Sequence, residues 1–242
     1  MDRRHLITGA FATVMGLNLS NGALAKFKLS DLSKLSSGSK PNVSDSDAQT
    51  GLKQILQQGT GAAVTRVSRT NGYWDDPKIR IPLPKTLVKT QSVLKMVGQS
   101  ALIDDLHMSM NHAAETAAPV AKDLFLDAIR TLTIKDAVGI IKGGDTAGTE
   151  YLQKTTTPRL VTAFTPPMQA AMQQSGAVAY FDKAIARNNL SSFMKTDAKT
   201  YLADHAVGYA LSGLFHYVGT EETAIRHDPA KRTTQILQSL FG

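Results

Sequence analysis

Six side chains capable of acid–base or metal chemistry fall between positions 104 and 115: Asp104, Asp105, His107, Asn111, His112 and Glu115. On an α-helix His112 and Glu115 stand three apart and Asn111 and Glu115 four apart, so each pair can meet on one face. Carboxylate and histidine at that spacing is how helical bundles hold iron, manganese or zinc. Asp104, His112 and Glu115 are the ligands a metal-dependent enzyme would use here. Such a site also needs groups from a facing helix, and Asp204–His205 offers a distant complement. The competing reading is a set of solvated polar faces and ion pairs, with Asp105 one heptad before His112. It leads to a binder without chemistry. Asp104, Asn111 and Glu115 then hydrogen-bond to Arg80 or to a rim built around Trp74, the only tryptophan. His216, Glu221, Glu222, His227 and Asp228 gather further along, where His227–Asp228 reads as helix termination and capping. The chain has no G-x-S-x-G, H-E-x-x-H, phosphate loop or dinucleotide fingerprint, which weighs against the common hydrolase and nucleotide-dependent classes. No cofactor is implied.

The elements that must position these groups are helical. Leu102, Leu106, Met110, Ala113, Ala117, Val120, Leu124 and Ala128 form one stripe at the helical period, predicting a central helix, or a kinked pair divided at Pro119. Before it, Leu52, Ile55, Leu56, Ala63, Val64 and Val67 predict a helix over 46–69, with capping groups at Ser44 to Asp47. Lys85 to Gly98 follows as another helix. Thr133 is an N-cap for the next, which Gly143-Gly144 closes. Ala147 to Phe164 is expected to be interrupted at Pro158, with Pro166-Pro167 opening a separate segment and Ala177 to Arg187 forming another. Asp197 to His227 is a second long helix, with Tyr201, Leu202, His205, Tyr209, Ser212, Leu214, Phe215 and Val218 on its apolar and aromatic face. A short helix over 230–241 ends the chain. Tyr73 to Pro84, YWDDPKIRIPLP, is the one extended stretch, because its prolines remove backbone donors and forbid a regular helix. There it either plugs one end of the bundle or forms a binding rim, with Trp74 as a platform beside Asp75 and Asp76. No alternating hairpin pattern occurs. The expected fold is all-α: a single multi-helix, bundle-like domain over 46–242 with one extended proline-rich segment.

The first 25 residues read as an export signal. Arg3 and Arg4 form the charged region, Leu6 to Leu19 a moderately apolar one, and Ala23-Leu24-Ala25 a small-x-small cleavage site, so the mature chain is expected to start at Lys26. Arg3-Arg4-His5-Leu6-Ile7 also resembles the twin-arginine motif, and both the general secretory and the twin-arginine route remain open. Residues 26–45, rich in Ser, Lys, Asp and Gly, read as a flexible spacer. No segment of the mature chain reads as a transmembrane span. The chain has no cysteine, which excludes disulfides and thiolate chemistry. Net charge is +7, or about +6 without Asp2, Arg3 and Arg4. The basic residues are scattered, which suits weak association with anionic envelope surfaces and argues against nucleic acid.

Several runs together carry a resemblance: Gly51-Leu52-Lys53-Gln54, Ile79-Arg80-Ile81-Pro82-Leu83-Pro84, Met110-Asn111-His112-Ala113-Ala114-Glu115, Ala147 to Tyr151, and Pro229-Ala230-Lys231-Arg232-Thr233-Thr234. They are similar to the domain of unknown function 4197 family of exported bacterial proteins, over roughly Gly51 to Gly242. Where the family typically has arginine after the asparagine, this chain has His112. The resemblance implies export and a helical fold, and it supplies no catalytic residues. The sequence thus predicts a soluble periplasmic protein that binds an unidentified protein partner or an apolar ligand, with the metal-dependent enzyme as its alternative.

Overall fold

The computed structural model describes residues 44–96, 101–174, 178–179, 182 and 197–241. The expected leader, all but the end of the spacer, and most of the helix expected at 177–187 lie outside the described residues. Those described form α1 (Asp45–Val67), α2 (Lys85–Met96), α3 (Ala101–Ala117), α4 (Ala121–Thr131), α5 (Ile134–Ile141), α6 (Ala147–Gln174), α7 (Ala198–His227) and α8 (Gln235–Phe241). Single 3-10 turns occupy Ala118–Val120 and Pro229–Lys231. No strand occurs among the described residues. The all-α, bundle-like fold read from the sequence is the fold observed.

The helix starts follow local chemistry. Ser44 accepts from the Asp47 N–H at 3.1 Å while the Asp47 carboxylate accepts from the Ser44 N–H at 3.3 Å, a capping box opening α1. Thr133 and Asp136 repeat it at α5, with bonds of 3.2 and 3.1 Å. Asp197 opens α7 by accepting from the Thr200 N–H at 2.9 Å. Pro119 lies in the 3-10 turn that joins α3 to α4, so the central stretch is a kinked pair.

Two expectations about the helices need correction. The first concerns Pro158, Pro166 and Pro167, which lie inside α6 rather than dividing it. The buried row of this helix, Gly148, Leu152, Thr156, Leu160, Phe164, Met168 and Met172, advances by four and runs past all three. Pro158 and Pro166 each sit two residues, or about 200°, beyond a buried position and are exposed. The carbonyls they deprive of a donor, on Lys154 and Thr162, belong to exposed residues and can turn to water. The second concerns the element that organises the bundle. The 102–132 stretch, packed along α6, α1 and α7, shares that role with α7, which packs along α6, α1 and α3. Leu202, Ala206, Ala210, Leu214 and Val218 are its buried ridge, while Tyr209 and Ser212, expected on the apolar face, are exposed. Phe215 meets Phe125 of α4 edge-on, with centroids 5.7 Å apart.

The segment between α1 and α2 is only partly extended. Residues 71–75 and 77–79 are turns, closed by bonds such as Asp75 N–H to Asn71 O at 3.0 Å and Arg80 N–H to Asp76 O at 2.8 Å. Residues 80–84 carry neither helix nor strand. Tyr73, Ile79, Ile81 and Leu83 are buried in the core, so this strap closes the bundle with alternate side chains.

Candidate functional site

The buried carboxylate of Glu115 faces main chain rather than a ligand. It accepts from the N–H groups of Asn71 and Tyr73, each at 3.0 Å, and of Trp74 at 3.2 Å. These are backbone donors of a turn with no helix or strand to satisfy them, and Asn71 has a positive φ of 59°. One helix turn earlier, Asn111 accepts from the Ile81 N–H at 2.8 Å and donates to the Ile81 carbonyl at 3.1 Å, pairing as a neighbouring strand would. His107 Nε2 lies 2.9 Å from the same carbonyl and His205 Nε2 lies 2.7 Å from that of Pro82. A carbonyl only accepts, so both nitrogens carry their proton. His112 Nε2 sits 3.0 Å from the side-chain oxygen of Asn71. Tyr73 reaches across the core and donates its hydroxyl to the Ala210 carbonyl at 2.7 Å. Burial, together with the Glu115 charge, pushes the Tyr73 phenol far above its ordinary range, so it stays a donor.

The predicted site residues therefore converge on the strap, but in different roles. Asn111 and Glu115 hold its main chain, while Asp104 turns to α2, accepting from Gln91 at 2.5 Å. Arg80 donates its Nε to the Trp74 carbonyl and lies 5.0 Å over the Trp74 ring. His107 meets the same indole edge-on at 5.0 Å, leaving Trp74 sandwiched rather than open. Burial holds His107 below the ordinary histidine range, with Arg80 adding to the effect. His112 and Glu115 both meet Asn71, one at its side chain and the other at its N–H. Among the described residues no group of three His, Asp or Glu side chains is placed to hold a metal.

A second buried carboxylate does the same work elsewhere. Glu222 of α7 accepts from the Gly148 and Thr149 N–H groups at 3.0 and 2.7 Å and from the Thr149 hydroxyl at 2.7 Å. These are unpaired donors in the first turn of α6, where the helix dipole also favours a negative charge. Arg226 balances the charge at 2.8 Å, both side chains being buried, and donates to the Ile140 carbonyl. A Cβ on Gly148 would fall 2.6 Å from Leu56 and 2.9 Å from Glu222, so this approach needs glycine. The sequence signal was present, since Glu222 and Arg226 are four apart on the same face as Val218 and Ile225, but by sequence alone Glu222 groups with the helix-end cluster and Arg226 is not singled out. Nearer that end, Asp228 does cap the 3-10 turn, accepting from the Ala230 N–H at 2.9 Å, and His227 reaches Asp145 at 2.8 Å.

Between these two clamps runs a groove along the outer face of α7. One part, about 650 Å³, is walled by Thr146, Thr149, Glu150 and Gln153 of the α6 start. The other, about 270 Å³, is walled by Lys78, Ile79, Arg80 and Pro82 of the strap. Ser212 and His216 line both parts, so the two adjoin. The floor is the polar stripe Tyr209, Ser212, His216, Thr220 and Thr223, which repeats at three- and four-residue steps. Gly213 lets the strap lie against α7, because a Cβ there would stand 2.9 Å from Ile79 and 3.0 Å from Tyr73. Another depression of about 530 Å³ lies between α3 and α6 beside His112 and Pro167. The α7 stripe escaped the sequence reading because Tyr209 and Ser212 were grouped with the apolar face; its polar heptad spacing was the available signal.

The family model for a protein of unknown function (DUF4197) matches residues 42–242. No curated protein and no solved structure matches the chain.

Proposed function

This chain belongs to the DUF4197 family, and we propose that it is an exported, non-catalytic binding protein whose ligand surface is the α7 groove. The observation that carries the reading is a division of labour among polar groups. Of those of the central helix that looked chemical, Glu115 and Asn111 are committed to the strap, Glu115 to three N–H groups and Asn111 to both sides of Ile81. Those of the groove floor, Tyr209, Ser212, His216 and Thr223, have no hydrogen-bond partner among the described residues and face open space. A concave surface with convergent, unengaged polar groups is the general form of a binding site. Its hydroxyl, amide and imidazole groups, with Glu150 at one end and Lys78 and Arg80 at the other, outnumber the apolar Phe215, Ile79 and Pro82 and favour a polar partner over an apolar ligand. The large apolar side chains that are exposed, such as Met108, Val120 and Val161, belong to separate elements. Export to the periplasm rests on the leader pattern of Arg3, Arg4 and Ala23 to Ala25. No helix among the described residues is long and apolar enough to cross a membrane.

Native mass spectrometry with elemental analysis tests this on full-length protein purified without chelator. A retained organic mass or partner subunit is expected, and it should be lost from Ser212→Trp and Thr220→Trp. Both positions are exposed, so these changes fill the groove and leave the buried clamps intact. A mass that survives both variants refutes the reading. So does a transition metal at unit stoichiometry with no organic mass.

A further inference from the structure

We infer that the α7 groove takes a carboxylate-bearing glycan strand, a conclusion that rests on the binding reading above. Three features of the groove point to this chemistry. The first is its platform. Tyr209 is 47% exposed, and its ring leans on His205 with centroids 4.8 Å apart, while His205 is itself tied to the Pro82 carbonyl at 2.7 Å. An exposed aromatic ring fixed from behind presents a flat apolar face with a polar tip, which suits the C–H face of a sugar and its flanking hydroxyls.

The second is the floor. Ser212, His216 and Thr223 offer groups that both donate and accept, as sugar hydroxyls do. Tyr209 to Thr223 spans about 21 Å at 1.5 Å per residue, room for several rings in a row. A bound peptide would call for pockets that receive alternate side chains. This floor instead sets the small polar residues Ser212, Thr220 and Thr223 between the rings of Tyr209 and His216, and the Glu150 carboxylate lines the α6 part of the groove, not the part that Lys78 and Arg80 line.

The third is the charged end. Lys78 and Arg80 stand together at the strap wall beside Tyr209. Arg80 is exposed and is held by its Nε at the Trp74 carbonyl and by its stack on the indole, which leaves the fork of its two terminal nitrogens without a hydrogen-bond partner among the described residues. That fork matches the two oxygens of a carboxylate, and Lys78 adds a point charge next to it. The stack also makes Trp74 a natural reporter, because a ligand engaging Arg80 changes the surroundings of the chain's only indole.

The test is calorimetric titration of the full chain with hexagalacturonate, with neutral maltohexaose and with inorganic phosphate, followed in parallel by Trp74 fluorescence. Hexagalacturonate should bind saturably and shift the fluorescence, with affinity falling as salt is raised. Maltohexaose should bind at least about tenfold more weakly, which corresponds to about 1.4 kcal/mol, and phosphate should give no saturable signal. Tyr209→Ala and Lys78→Gln should each weaken hexagalacturonate about tenfold while the urea midpoint stays within error, since both side chains are exposed. Absence of hexagalacturonate binding overturns the inference, as does equal affinity for maltohexaose, a matching signal from phosphate, or variants that bind like the wild type. If hexagalacturonate fails but the retained mass is lost from Ser212→Trp, the glycan inference falls and the binding reading stands. If hexagalacturonate binds Ser212→Trp unchanged, both fall.

Discussion

Replacing Glu115 by Gln isolates what the buried carboxylate contributes. Glu115 is 6% exposed, and one oxygen accepts from Tyr73 and Trp74 while the other accepts from Asn71. Glutamine keeps one oxygen. In its better orientation that oxygen still serves Tyr73 and Trp74, but as a neutral acceptor, and the amide –NH₂ then points at the Asn71 N–H, donor against donor. A hydrogen bond to a charged group contributes about 1.5–3 kcal/mol, and a buried donor left unpaired costs about 1–3 kcal/mol. Charge loss on the two surviving bonds adds to this, so Glu115→Gln should cost about 2–4 kcal/mol. Glu115→Ala, which abandons all three donors and leaves a cavity, should cost about 4–6 kcal/mol, a large share of the about 5–15 kcal/mol that holds a typical domain. For a chain of this size each kcal/mol lowers the melting temperature by about 2–4 °C, so the glutamine variant should melt roughly 4–16 °C lower. Urea denaturation gives the global figure. Amide exchange then gives the location, with protection lost at Asn71, Tyr73 and Trp74 before other sites. A loss under about 0.5 kcal/mol, within the range of ordinary surface changes, would refute the assignment, and so would a larger loss with exchange at those three amides unchanged.

Glu222→Gln should cost about 3–5 kcal/mol, because it leaves the buried Arg226 charge unbalanced; urea denaturation checks this, and Glu222→Gln combined with Arg226→Met should recover part of the loss. Burial holds His107 below its ordinary value, so below about pH 6.5 the unfolded chain takes up a proton that the folded one refuses. Stability should therefore fall as pH drops from about 6.5 through the folded value, and His107→Gln should flatten that slope in melting curves recorded between pH 7.5 and 5.5. Thr133→Ala removes the N-cap of α5 and should cost about 1 kcal/mol in urea, with Thr133→Ser near neutral. N-terminal sequencing of protein recovered from the periplasm should begin at Lys26, and Ala25→Asp should leave the precursor unprocessed.

The sequence was informative wherever one local signal decided the outcome. Ser44 with Asp47, Thr133 with Asp136, and Asp197 each announced a helix start, and the 3.6-residue period announced what followed. Proline was the misleading signal. Pro158 and Pro166 were read as breaks because the rule is local, whereas the outcome turned on which face they occupy, and that is known only once the row from Gly148 to Met172 is seen to bury. The candidate site was legible by residue and not by role. Asn111 and Glu115 were rightly joined to the strap, but a carboxylate beside a histidine looks the same in sequence whether it faces a metal or three main-chain N–H groups. Tyr209 and Ser212 were misplaced for a related reason. Their helix buries Ala203, Ala206 and Ala210 alongside Leu214, Phe215 and Tyr217 while Tyr209 is exposed, so residue size is a poor guide to its inner face.

The two buried carboxylates explain one another once the groove is placed between them. Its strap wall is held by Glu115 and Asn111, and its α6 wall by Glu222. Neither wall has a regular hydrogen-bonding partner of its own: one is turns and irregular chain, the other a helix start with unpaired donors. Each is fixed instead by a side chain on a rigid neighbouring helix, α3 for the strap and α7 for the α6 start. α7 is also the floor, so wall and floor share one reference frame, as a preformed binding surface requires. On the proposed binding reading, Glu115 and Glu222 should govern affinity without facing the groove. Strap amides that exchange faster in Glu115→Gln should be accompanied by weaker binding at the Lys78–Arg80 end, while contacts at Thr223 and Gln153 persist. Glu222→Gln should produce the reverse pattern, and a variant that loosens one wall yet leaves both ends of the groove equally competent would contradict the coupling.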